Sequence, residues 1–431
     1  MTRSSGDAAE LREAFYAGLA PAIREAVTRV VEAGAVKGGV YAAGGVVRDL
    51  MLGRAILDVD LVTEADAIEV ARTALPGTPM TVHGRFRTAS IAVDGARIDV
   101  ATAREETYAQ PGALPDVRPS SIEQDMARRD FTVNAMALRL DDEASLVDPH
   151  GGQADIEARL IRVLHDRSFI DDATRIFRAF RYAARLGFRI EAHTRWLMDA
   201  GVAYIETISG ERLRRELELM IEEETGGLAL EMAGEAGALA AIDPVLVWTS
   251  RETAALSRPL PADVERAPFG FALLARHATP YDAQQIAERL RLHREERAAV
   301  EAIASMQSIV ETLRRPDAKP SGVVTLLDRY PIAAVAAFAR TVDDPIAAQL
   351  AHRYLDEWRH EKPILSGHDL LAAGVPEGPQ VERGLQLIRA ARLDGWARDR
   401  GDEQALALRF AKSIRDSDAM HQPLKIDPNG N

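Results

Sequence analysis

The strand-forming signals of this chain are confined to one region, and this confinement restricts the fold more than any other feature. Short runs of small and β-branched residues, punctuated by glycine, occur only between about residues 38 and 150, a composition typical of strands. The Asp94-Gly95 pair between two such runs predicts a tight hairpin. From about Asp155 onward, apolar residues recur at helical spacing. We therefore expect an α+β protein with a small mixed sheet followed by an all-helical remainder.

Helical spacing also precedes the β-rich region. The stretch ELREAFYAGLAPAIREAVTRVVEAG, residues 10–34, predicts one amphipathic helix that ends at Gly34. At the other end of the chain, HQPLKIDPNGN lacks apolar periodicity, which predicts a disordered tail over residues 421–431.

The 431-residue chain contains no cysteine, which excludes disulfides, thiolate metal sites and a cysteine nucleophile. This suits a reducing compartment, and the first residues, MTRSSGDAAELREAF, lack the apolar segment of a secretory signal. No run approaches the roughly 20 apolar residues that a membrane span requires. We therefore expect a cytoplasmic protein without a membrane partner.

Arginine is concentrated in one segment of an acidic chain. The formal net charge is −13, yet residues 161–215 contain 11 Arg against 7 Asp and Glu. Nucleic-acid binding depends on the distribution of such cations more than on the total charge. The segment is compatible either with RNA contacts or with a solvated helical surface on which arginine stems cover apolar neighbours.

Residues 41–66, YAAGGVVRDLMLGRAILDVDLVTEAD, combine a strand, a paired glycine and a helix start with two aspartates. Gly44 and Gly45 let backbone N–H groups approach an anion beside the positive end of a helix, so a triphosphate can bind there. Alternation along DVDLV places Asp58 and Asp60 on one face of a strand. Two such carboxylates form a hard oxygen site for Mg²⁺, which substrate phosphates would complete.

A third carboxylate beside this pair would make a two-metal site, which activates a hydroxyl and stabilises leaving pyrophosphate. The best candidate is Asp99, because its strand RIDVATA directly follows the Asp94-Gly95 hairpin and could lie beside the pair. An Asp-x-Asp strand alone is commonly a solvated face. The order and close spacing of all these elements favour the metal site.

Five segments occur in a characteristic order: GGVVRD followed by DVD, RRDFTVNAMAL, DDATRIFRAFRYAARLGF, GERLRRELELM and PILSGHDLLAAGVPEGPQVERGLQLI. In this order they resemble the class II tRNA nucleotidyltransferases and the related bacterial poly(A) polymerases, which are polymerase-β-like nucleotidyltransferases. The first is similar to the family's metal motif, the second to its sugar and hinge motif, and the third to its nucleobase-selecting helix. The fourth resembles the segment after that helix, and the fifth a part of the C-terminal body.

The resemblance implies a polymerase-β-like head with a small mixed sheet, followed by a helical neck, body and tail. It also implies transfer of CMP and AMP from CTP and ATP to the 3′ end of a tRNA, with Mg²⁺ as cofactor and pyrophosphate as product. DNA is not an expected partner. The implied boundaries are residues 1–150 for the catalytic head, 151–225 for the neck, 226–420 for the tRNA-binding body and tail, and 421–431 for the disordered tail.

Roles of individual residues follow from the same resemblance. Asp58 and Asp60 would hold the metal, and Asp99 would position or activate the primer hydroxyl. The helical half would hold the tRNA by shape and phosphate contacts. The nucleotide-binding residues would be Gly44, Gly45, Arg48, Arg129, Asp130, Asp172, Arg175, Arg178 and Arg181.

The nucleobase-selecting segment has a chemical rationale. Asp171, Asp172 and Arg175 lie three and four residues apart and can share a helix face. A carboxylate accepts a hydrogen bond from the exocyclic amine of C or A, and a guanidinium donates to the acceptor beside that amine. G and U present a carbonyl there and would be repelled, so such a pair can select CTP and ATP without a template. The alternative is a surface ladder of intrahelical ion pairs.

Two positions depart from the family pattern. The family usually has Glu-Asp where this chain has Asp171-Asp172, and a small residue, commonly glycine, where Arg87 stands in HGRFRTA. A third motif, Gly-His-Asp around His368, resembles a metal phosphohydrolase signature, but Ser366 followed by Asp369 predicts a helix start instead.

Three activities within the family fit these motifs: addition of the whole CCA end, addition of a part of it, and poly(A) synthesis. Residues 103–125 form a long, loop-like segment, whereas CC-adding members lack much of a flexible loop in this region. We therefore expect CCA addition, with A addition alone or poly(A) synthesis as alternatives. A catalytically silent RNA-binding module would not need the three aspartates, and an antibiotic-modifying nucleotidyltransferase would not need the helical half.

Overall fold

Two compact units make up the chain, with the boundary between Thr253 and Ala254. The structure is a computed structural model that describes residues 5–35, 38–56, 58–107, 109–113 and 115–420. The tail predicted over residues 421–431 lies outside the described residues.

The first unit contains a mixed sheet. The described strands are β1 Val40–Ala43, β2 Val59–Thr63, β3 Met80–His83, β4 Thr88–Val93, β5 Ala96–Thr102, β6 Arg104–Thr107, β7 Asp116–Pro119, β8 Ala137–Arg139, β9 Leu146–Val147, β10 Leu160–Ile161 and β11 Arg189–Ile190. Seven of these described strands form one sheet in the order β3-β4-β5-β2-β1-β8-β9, while β6 pairs with β7 and β10 with β11.

Strand pairing agrees with the local sequence signals. Within the seven-stranded sheet β2 and β5 run parallel, and the other described pairs are antiparallel. Asp94 and Gly95 join β4 to β5 with φ values of 50° and 80°, the left-handed backbone that a type I′ hairpin turn requires. The predicted hairpin and the predicted mixed sheet are both confirmed.

Helices cover most of the remaining first unit, and one of them crosses its boundary. The prediction of a single helix over residues 10–34 is wrong, because the chain breaks after Ala17 and restarts at Pro21, a residue that favours the first helical turn. The helices are α1 Ser5–Ala17, α2 Pro21–Ala35, α3 Gly45–Met51, α4 Ala67–Ala74, α5 Ile122–Ala127, α6 Gly152–Ala158, α7 Ser168–Asp171, α8 Thr174–Leu186, α9 Ala192–Gly201, α10 Gly210–Glu222, α11 Gly226–Glu235 and α12 Ser250–Ser257.

Residues 103–125 are more ordered than their loop-like composition predicts. β6 and β7 pair in register from Arg104 opposite Pro119 to Thr107 opposite Asp116, and α5 follows. The strands REET and DVRP contain few apolar residues, so they lack the alternation that marks a strand in sequence. The loop expected here is therefore mainly a polar hairpin and a short helix.

Apolar packing joins the sheet to the helices that follow it. One cluster, around Tyr41 and Met126, fixes β1 and α5 against each other. Further along, α8 packs on α10 and α11, and its Phe177 and Phe180 are fully buried. The sheet and α8 are thus held in one unit, which positions the site described below.

The second unit is helical throughout its described residues. Leu370 and Ile388 belong to one of its buried clusters. Ser366 and Asp369 form a capping box at the start of α20, which confirms the helix start predicted there. Its helices are α13 Arg266–Leu274, α14 Pro280–Arg289, α15 Arg294–Met306, α16 Val310–Leu313, α17 Pro320–Leu327, α18 Ile332–Thr341, α19 Pro345–Asp356, α20 Gly367–Ala372, α21 Pro379–Leu393 and α22 Arg400–Met420.

The described helices can be compared with a membrane span by their length and apolar composition. None of them is by itself long and apolar enough to cross a membrane. Only α17 and α18 taken together, with a bend of 120° between them, reach such a length and composition.

Candidate active site

One cavity of 740 Å³ in the first unit collects most of the predicted site residues. Residues of α3, β2, α8 and α10 line it. Among the described residues, the lining has eight arginines and eight carboxylates, so their formal charges balance. Of the predicted residues, the lining includes Gly45, Arg48, Asp58, Asp60, Arg129, Asp130, Asp172, Arg175 and Arg178, but not Gly44, Asp99 or Arg181.

The three predicted catalytic aspartates lie on neighbouring strands. Asp60 of β2 is the register partner of Asp99 on the parallel strand β5, and Asp58 directly precedes β2. Asp60 faces outward because Val59 and Leu61 on either side of it are buried. The arrangement expected from the order of the motifs, with a neighbouring strand presenting Asp99 to the pair, is therefore observed.

The electrostatics of this group fit a divalent cation. Burial raises the pKa of Asp60; Arg129 opposes this, and the carboxylates of Asp99 and Asp58 raise it further. Asp99 accepts hydrogen bonds from Arg97 through Oδ2, while its Oδ1 is buried and has no hydrogen-bond partner among the described residues. Carboxylates that repel one another, with an unsatisfied oxygen, are a donor set that a hard cation stabilises.

Protein ligands alone do not complete such a site. Within the described part of the chain, no group of three or more His, Cys, Asp or Glu side chains is arranged to hold a metal ion. Asp99 is turned toward Arg97, which leaves Asp58 and Asp60 as the pair that faces the cavity. Substrate phosphates and water would have to supply the remaining ligands, as is usual for Mg²⁺.

Gly44 is required at the start of α3 for two reasons. Its φ is 77°, and a Cβ built on it would lie 2.2 Å from Nη1 of Arg129. Arg129 also donates to Asp125, whose side chain is buried, across 3.2 Å. The glycine therefore lets the Arg129 guanidinium cross directly over the turn between β1 and α3.

Asp130 is the centre of a buried network. Its Oδ2 accepts two hydrogen bonds from Arg178, at 2.9 and 2.6 Å. Its Oδ1 accepts from the Asn134 side chain, and Asn134 in turn accepts from Arg48. Burial by itself would raise the pKa of Asp130, but Arg178 and these hydrogen bonds lower it to about 2. The network connects α8 to α3 through the RRDFTVN motif.

Asp171 and Asp172 do not share a helix face with Arg175. The helical backbone breaks at Asp172, which has φ −147° and ψ 96°, between α7 and α8. Asp171 pairs with Arg167 one turn earlier. Asp172 instead accepts hydrogen bonds from the backbone N–H and the hydroxyl of Thr174, the first residue of α8. The predicted single helix is thus two helices, since a short polar side chain competes with the helix for backbone N–H groups.

Asp172 has a second partner that sequence spacing did not indicate. Arg212 of α10 donates to Oδ2 of Asp172 across 2.7 Å, and it also donates to the backbone carbonyl of Gly112. The pairing joins residues forty positions apart, so no local pattern could have predicted it. Arg212 does lie within GERLRRELELM, the segment placed directly after the selecting helix.

Arg175 and Arg181 are both buried on α8. Arg175 donates to the Ser168 hydroxyl and to the backbone carbonyl of Arg128. Arg181 pairs with Glu223 at 2.9 Å and lies outside the cavity lining, so the structure does not place it beside the other predicted nucleotide-binding residues. Arg185, one turn further along α8, lines the cavity instead.

Tyr182 is a cavity residue that the sequence interpretation missed. Three guanidinium groups, of Arg48, Arg178 and Arg181, lie 5.4, 5.6 and 5.1 Å from its ring centroid. An aromatic face attracts cations at such distances. Its position four residues after Arg178 was the available signal, because residues i and i+4 are neighbours on a helix.

Sequence comparison identifies the family. Residues 40–162 match the family described as Poly A polymerase head domain, and residues 187–248 match that described as Probable RNA and SrmB- binding site of polymerase A. A CC-adding tRNA nucleotidyltransferase of Deinococcus radiodurans is 34% identical, over 85% of this chain and 87% of the relative. A CCA-adding enzyme of Geobacillus kaustophilus is 31% identical, over 81% and 87%. The chain belongs to the class II tRNA nucleotidyltransferases, an enzyme family.

Other relatives match over less of their length. An A-adding tRNA nucleotidyltransferase of Geobacter sulfurreducens is 33% identical over 87% of this chain but only 45% of the relative. The chain spans less than half the length of this and two further A-adding relatives that it matches. Members of the family generally use divalent metal ions.

Solved structures agree with the fold. The apo form II of a CCA-adding enzyme matches with a TM-score of 0.78 at 30% identity, over 94% of this chain and 98% of that one. The Thermotoga maritima CCA-adding enzyme complexed with tRNA matches with a TM-score of 0.75 at 29% identity, over 93% and 98%. CCA-adding enzyme complexes with ATP and with CTP match at 27% identity, with TM-scores of 0.74 and 0.73, each over 96% and 98%.

Proposed function

We propose that this protein adds nucleotides to the 3′ end of tRNA and completes the CCA sequence from CTP and ATP. The observation that carries the proposal is the register of β2 and β5, which puts Asp60 opposite Asp99 with Asp58 beside them. Membership of the family supports the same class of reaction. The cytoplasm, where tRNA and both nucleotides occur, is the proposed location.

Each part of the chain has a role in this proposal. Residues 1–150 form the catalytic head, and 151–225 form the neck that contains the base-selecting residues. Residues 226–420 form the body and tail, which hold the tRNA. The primer's 3′ hydroxyl attacks the α-phosphorus of CTP or ATP, a new phosphodiester bond forms, and pyrophosphate leaves.

Asp58 and Asp60 would hold Mg²⁺ in this reaction, and the ion supplies activation of the attacking hydroxyl and stabilisation of the leaving pyrophosphate. Asp99, opposite Asp60 on the adjacent strand, would position or activate the primer hydroxyl, which requires its side chain to turn from Arg97 toward the cavity. The formal charges of the arginines and carboxylates that line the cavity cancel. A triphosphate therefore binds there more favourably with its cation than without it. Mg²⁺ is the proposed ion because a site of two carboxylates completed by substrate phosphates is typical of Mg²⁺.

The triphosphate is held by cations that face the cavity. Arg129 crosses the Gly44 turn, so its charge lies where the glycine turn and the start of α3 can also approach an anion. Arg48 and Arg178 are fixed by Asn134 and Asp130, which keeps their guanidinium groups in place before the nucleotide arrives. Such fixed cations contribute to transition-state stabilisation without reorganisation.

The base edge is read by Asp172 and Arg175. A carboxylate has about four acceptor positions, and three in Asp172 are engaged by Thr174 and Arg212. The remaining one can accept from the exocyclic amine of C or A. Arg175 has five donors, of which Ser168 and the Arg128 carbonyl engage two. Arg212 therefore acts as a positioning residue for Asp172.

CCA addition is the form of the activity that we propose, and the intact segment 103–125 supports it. CC addition is the second candidate, because the D. radiodurans CC-adding relative aligns along nearly the whole chain. A addition alone and poly(A) synthesis are further candidates. Nucleotide incorporation into tRNA transcripts with defined 3′ ends distinguishes all of these activities.

The proposed metal site is tested by Asp58→Ala and Asp60→Ala. Each variant should abolish nucleotide addition, with a loss of at least about a thousandfold, while tRNA affinity measured by filter binding stays within about twofold. Asp142→Ala is the matched control, because this exposed carboxylate of the same unit does not line the cavity. Near-normal turnover of either site variant would remove the two-carboxylate mechanism.

A further inference from the structure

A second cavity of the first unit, of about 20 Å³, lies beside the β6–β7 hairpin, and four of the eight described residues that line it are arginines. It is separate from the active-site cavity, since the two share no lining residue. We call its four arginines and their aromatic neighbour the arginine patch: Arg85, Phe86, Arg87, Arg104 and Arg118.

Three of the four arginines of the patch are not engaged in ion pairs among the described residues. Among the described residues, Arg85, Arg87 and Arg118 form no ion pair with a carboxylate, and all three are exposed. Glu106 pairs with Arg104 at 3.2 Å, but it pairs with Arg128 as well. Glu105, the register partner of Arg118, is the other acid of β6. With Asp116 of β7, the patch and the hairpin strands have four arginines against three acids, an excess of one positive charge.

Phe86 orders two of the guanidinium groups. Those of Arg85 and Arg104 lie 5.6 and 5.3 Å from its ring centroid. Arg104 also donates to Glu106 and to the Phe86 carbonyl, and Arg85 donates to the Pro115 carbonyl. A guanidinium has five N–H donors, so both groups keep N–H groups for an anion. The patch therefore has the rigidity and donors that a phosphate site needs.

Arg87 occupies a backbone conformation that favours glycine. Its φ is 47° and its ψ is 49°, in the left-handed region, at the end of the short 3₁₀ helix Gly84–Phe86. A non-glycine residue pays about 1–2 kcal/mol for this conformation. Strained backbone of this kind is commonly found at functional positions. Here the strained residue is an arginine that lines the second cavity.

The patch lies close to the catalytic strand. The backbone N–H of Thr102 on β5 donates to the carbonyl of Arg87 across 3.1 Å. Thr102 follows Asp99 by three residues, a distance of roughly 10 Å along a strand. Glu106 lines the active-site cavity and pairs with Arg104 of the patch. The two cavities are therefore adjacent through the first strand of the hairpin.

We propose that the arginine patch binds a backbone phosphate of the RNA primer, within a few nucleotides of the 3′ hydroxyl that is positioned at Asp99. The inference rests on the proposed function, since it needs an RNA primer at the active site. The ligand is a phosphodiester of the primer rather than the triphosphate of the incoming nucleotide, because the active-site cavity already contains the cations for the latter.

Arg87→Gly tests this proposal without straining the fold, because glycine accepts a φ of 47° more readily than arginine does. Arg159→Gly is the matched control: Arg159 is also an exposed arginine with positive φ, 55°, in the same unit, and it lines neither cavity. Arg118→Ala supplies a second variant of the patch at a residue whose backbone is an ordinary strand.

Steady-state kinetics and direct RNA binding are measured for all four proteins. For Arg87→Gly and Arg118→Ala we expect the KM for tRNA to rise roughly tenfold, with kcat and the KM for CTP unchanged. The slope of log Kd for tRNA against log salt concentration should become shallower by about 0.7 to 0.9, the value of one lost phosphate contact. Arg159→Gly should match the unaltered protein in every measurement.

Several results would overturn the inference. An unchanged tRNA affinity and salt slope in both patch variants would show that the patch does not contact the primer. A rise in the KM for CTP with constant tRNA affinity would assign the patch to the nucleotide. If the unaltered protein added no nucleotide to any tRNA, the proposed function would fail, whereas the binding titration would still report on the patch.

Discussion

Gly44→Ala is the substitution whose effect the structure defines most sharply. The new Cβ would lie 2.2 Å from Nη1 of Arg129, closer than such contacts allow, and the backbone there has a φ of 77°. The Arg129 guanidinium must therefore shift from its place above the glycine turn, and this shift weakens its ion pair with the buried Asp125. The variant displaces a cation that we propose to bind the triphosphate, without altering any charged residue.

Two contributions make up the expected loss of stability. An alanine at the φ of 77° and ψ of −126° of Gly44, a conformation that hardly any residue except glycine adopts, costs about 1–3 kcal/mol. The hydrogen bond of Arg129 to a buried carboxylate is worth about 1.5–3 kcal/mol, and the lower end applies because Asp125 keeps Arg128 as a partner. We therefore expect Gly44→Ala to lose about 3 kcal/mol in total.

Gly77→Ala separates the two contributions. Gly77 has a φ of 79°, and its Cβ would meet nothing within 4 Å, so only the conformational cost of about 1–2 kcal/mol applies. Thermal unfolding and the KM for CTP are measured for both variants. Gly44→Ala should unfold at a temperature several degrees below that of Gly77→Ala, and only Gly44→Ala should raise the KM for CTP. Equal stabilities with an unchanged KM would refute the argument that Gly44 makes room for Arg129.

Two further predictions concern the network around the cavity. Asp172→Ala should relax discrimination against UTP and GTP more than it weakens tRNA affinity. Misincorporation assays test this prediction, with Asp171→Ala as the control. Unchanged fidelity would show that another residue reads the base edge. Asp130 has a pKa of about 2 in the folded state and about 3.9 unfolded, so its carboxylate contributes about 2.6 kcal/mol that is present above about pH 5 and is lost as the pH falls through 2. The stability difference between the unaltered protein and Asp130→Asn should therefore shrink over that range in denaturant titrations; a constant difference would contradict the assigned pKa.

The parts of the fold that rest on local patterns could be predicted from sequence. Asp94-Gly95 specifies its own turn, and the alternation in DVDLV turns Asp60 away from the buried side of β2. The neighbouring positions of Asp60 and Asp99 could also be predicted. The Asp94-Gly95 hairpin makes β4 one neighbour of β5, and the order of the motifs suggests β2 as the other.

The parts that were missed depend on distant partners or on polar elements. At the break between α7 and α8, the Asp172 side chain accepts a hydrogen bond from Thr174 and pairs with Arg212. Arg212 lies forty positions away in the sequence. The β6–β7 hairpin lacks apolar alternation, so periodicity could not identify it. Arg87 was recognised as unusual, but only its left-handed backbone explains why a small residue is expected there.

The central claim is tested most directly by nucleotide incorporation with the purified protein. Three tRNA transcripts, ending before CCA, after C and after CC, are incubated with Mg²⁺ and with CTP alone, ATP alone or both. We predict that CTP is added until the end reads CC, that one A follows from ATP, and that addition then stops. Three results would contradict CCA addition: addition of A only to the transcript ending in CC, a stop after CC with both nucleotides present, or long A tracts on unrelated RNA. No incorporation into any transcript would contradict the proposed function itself.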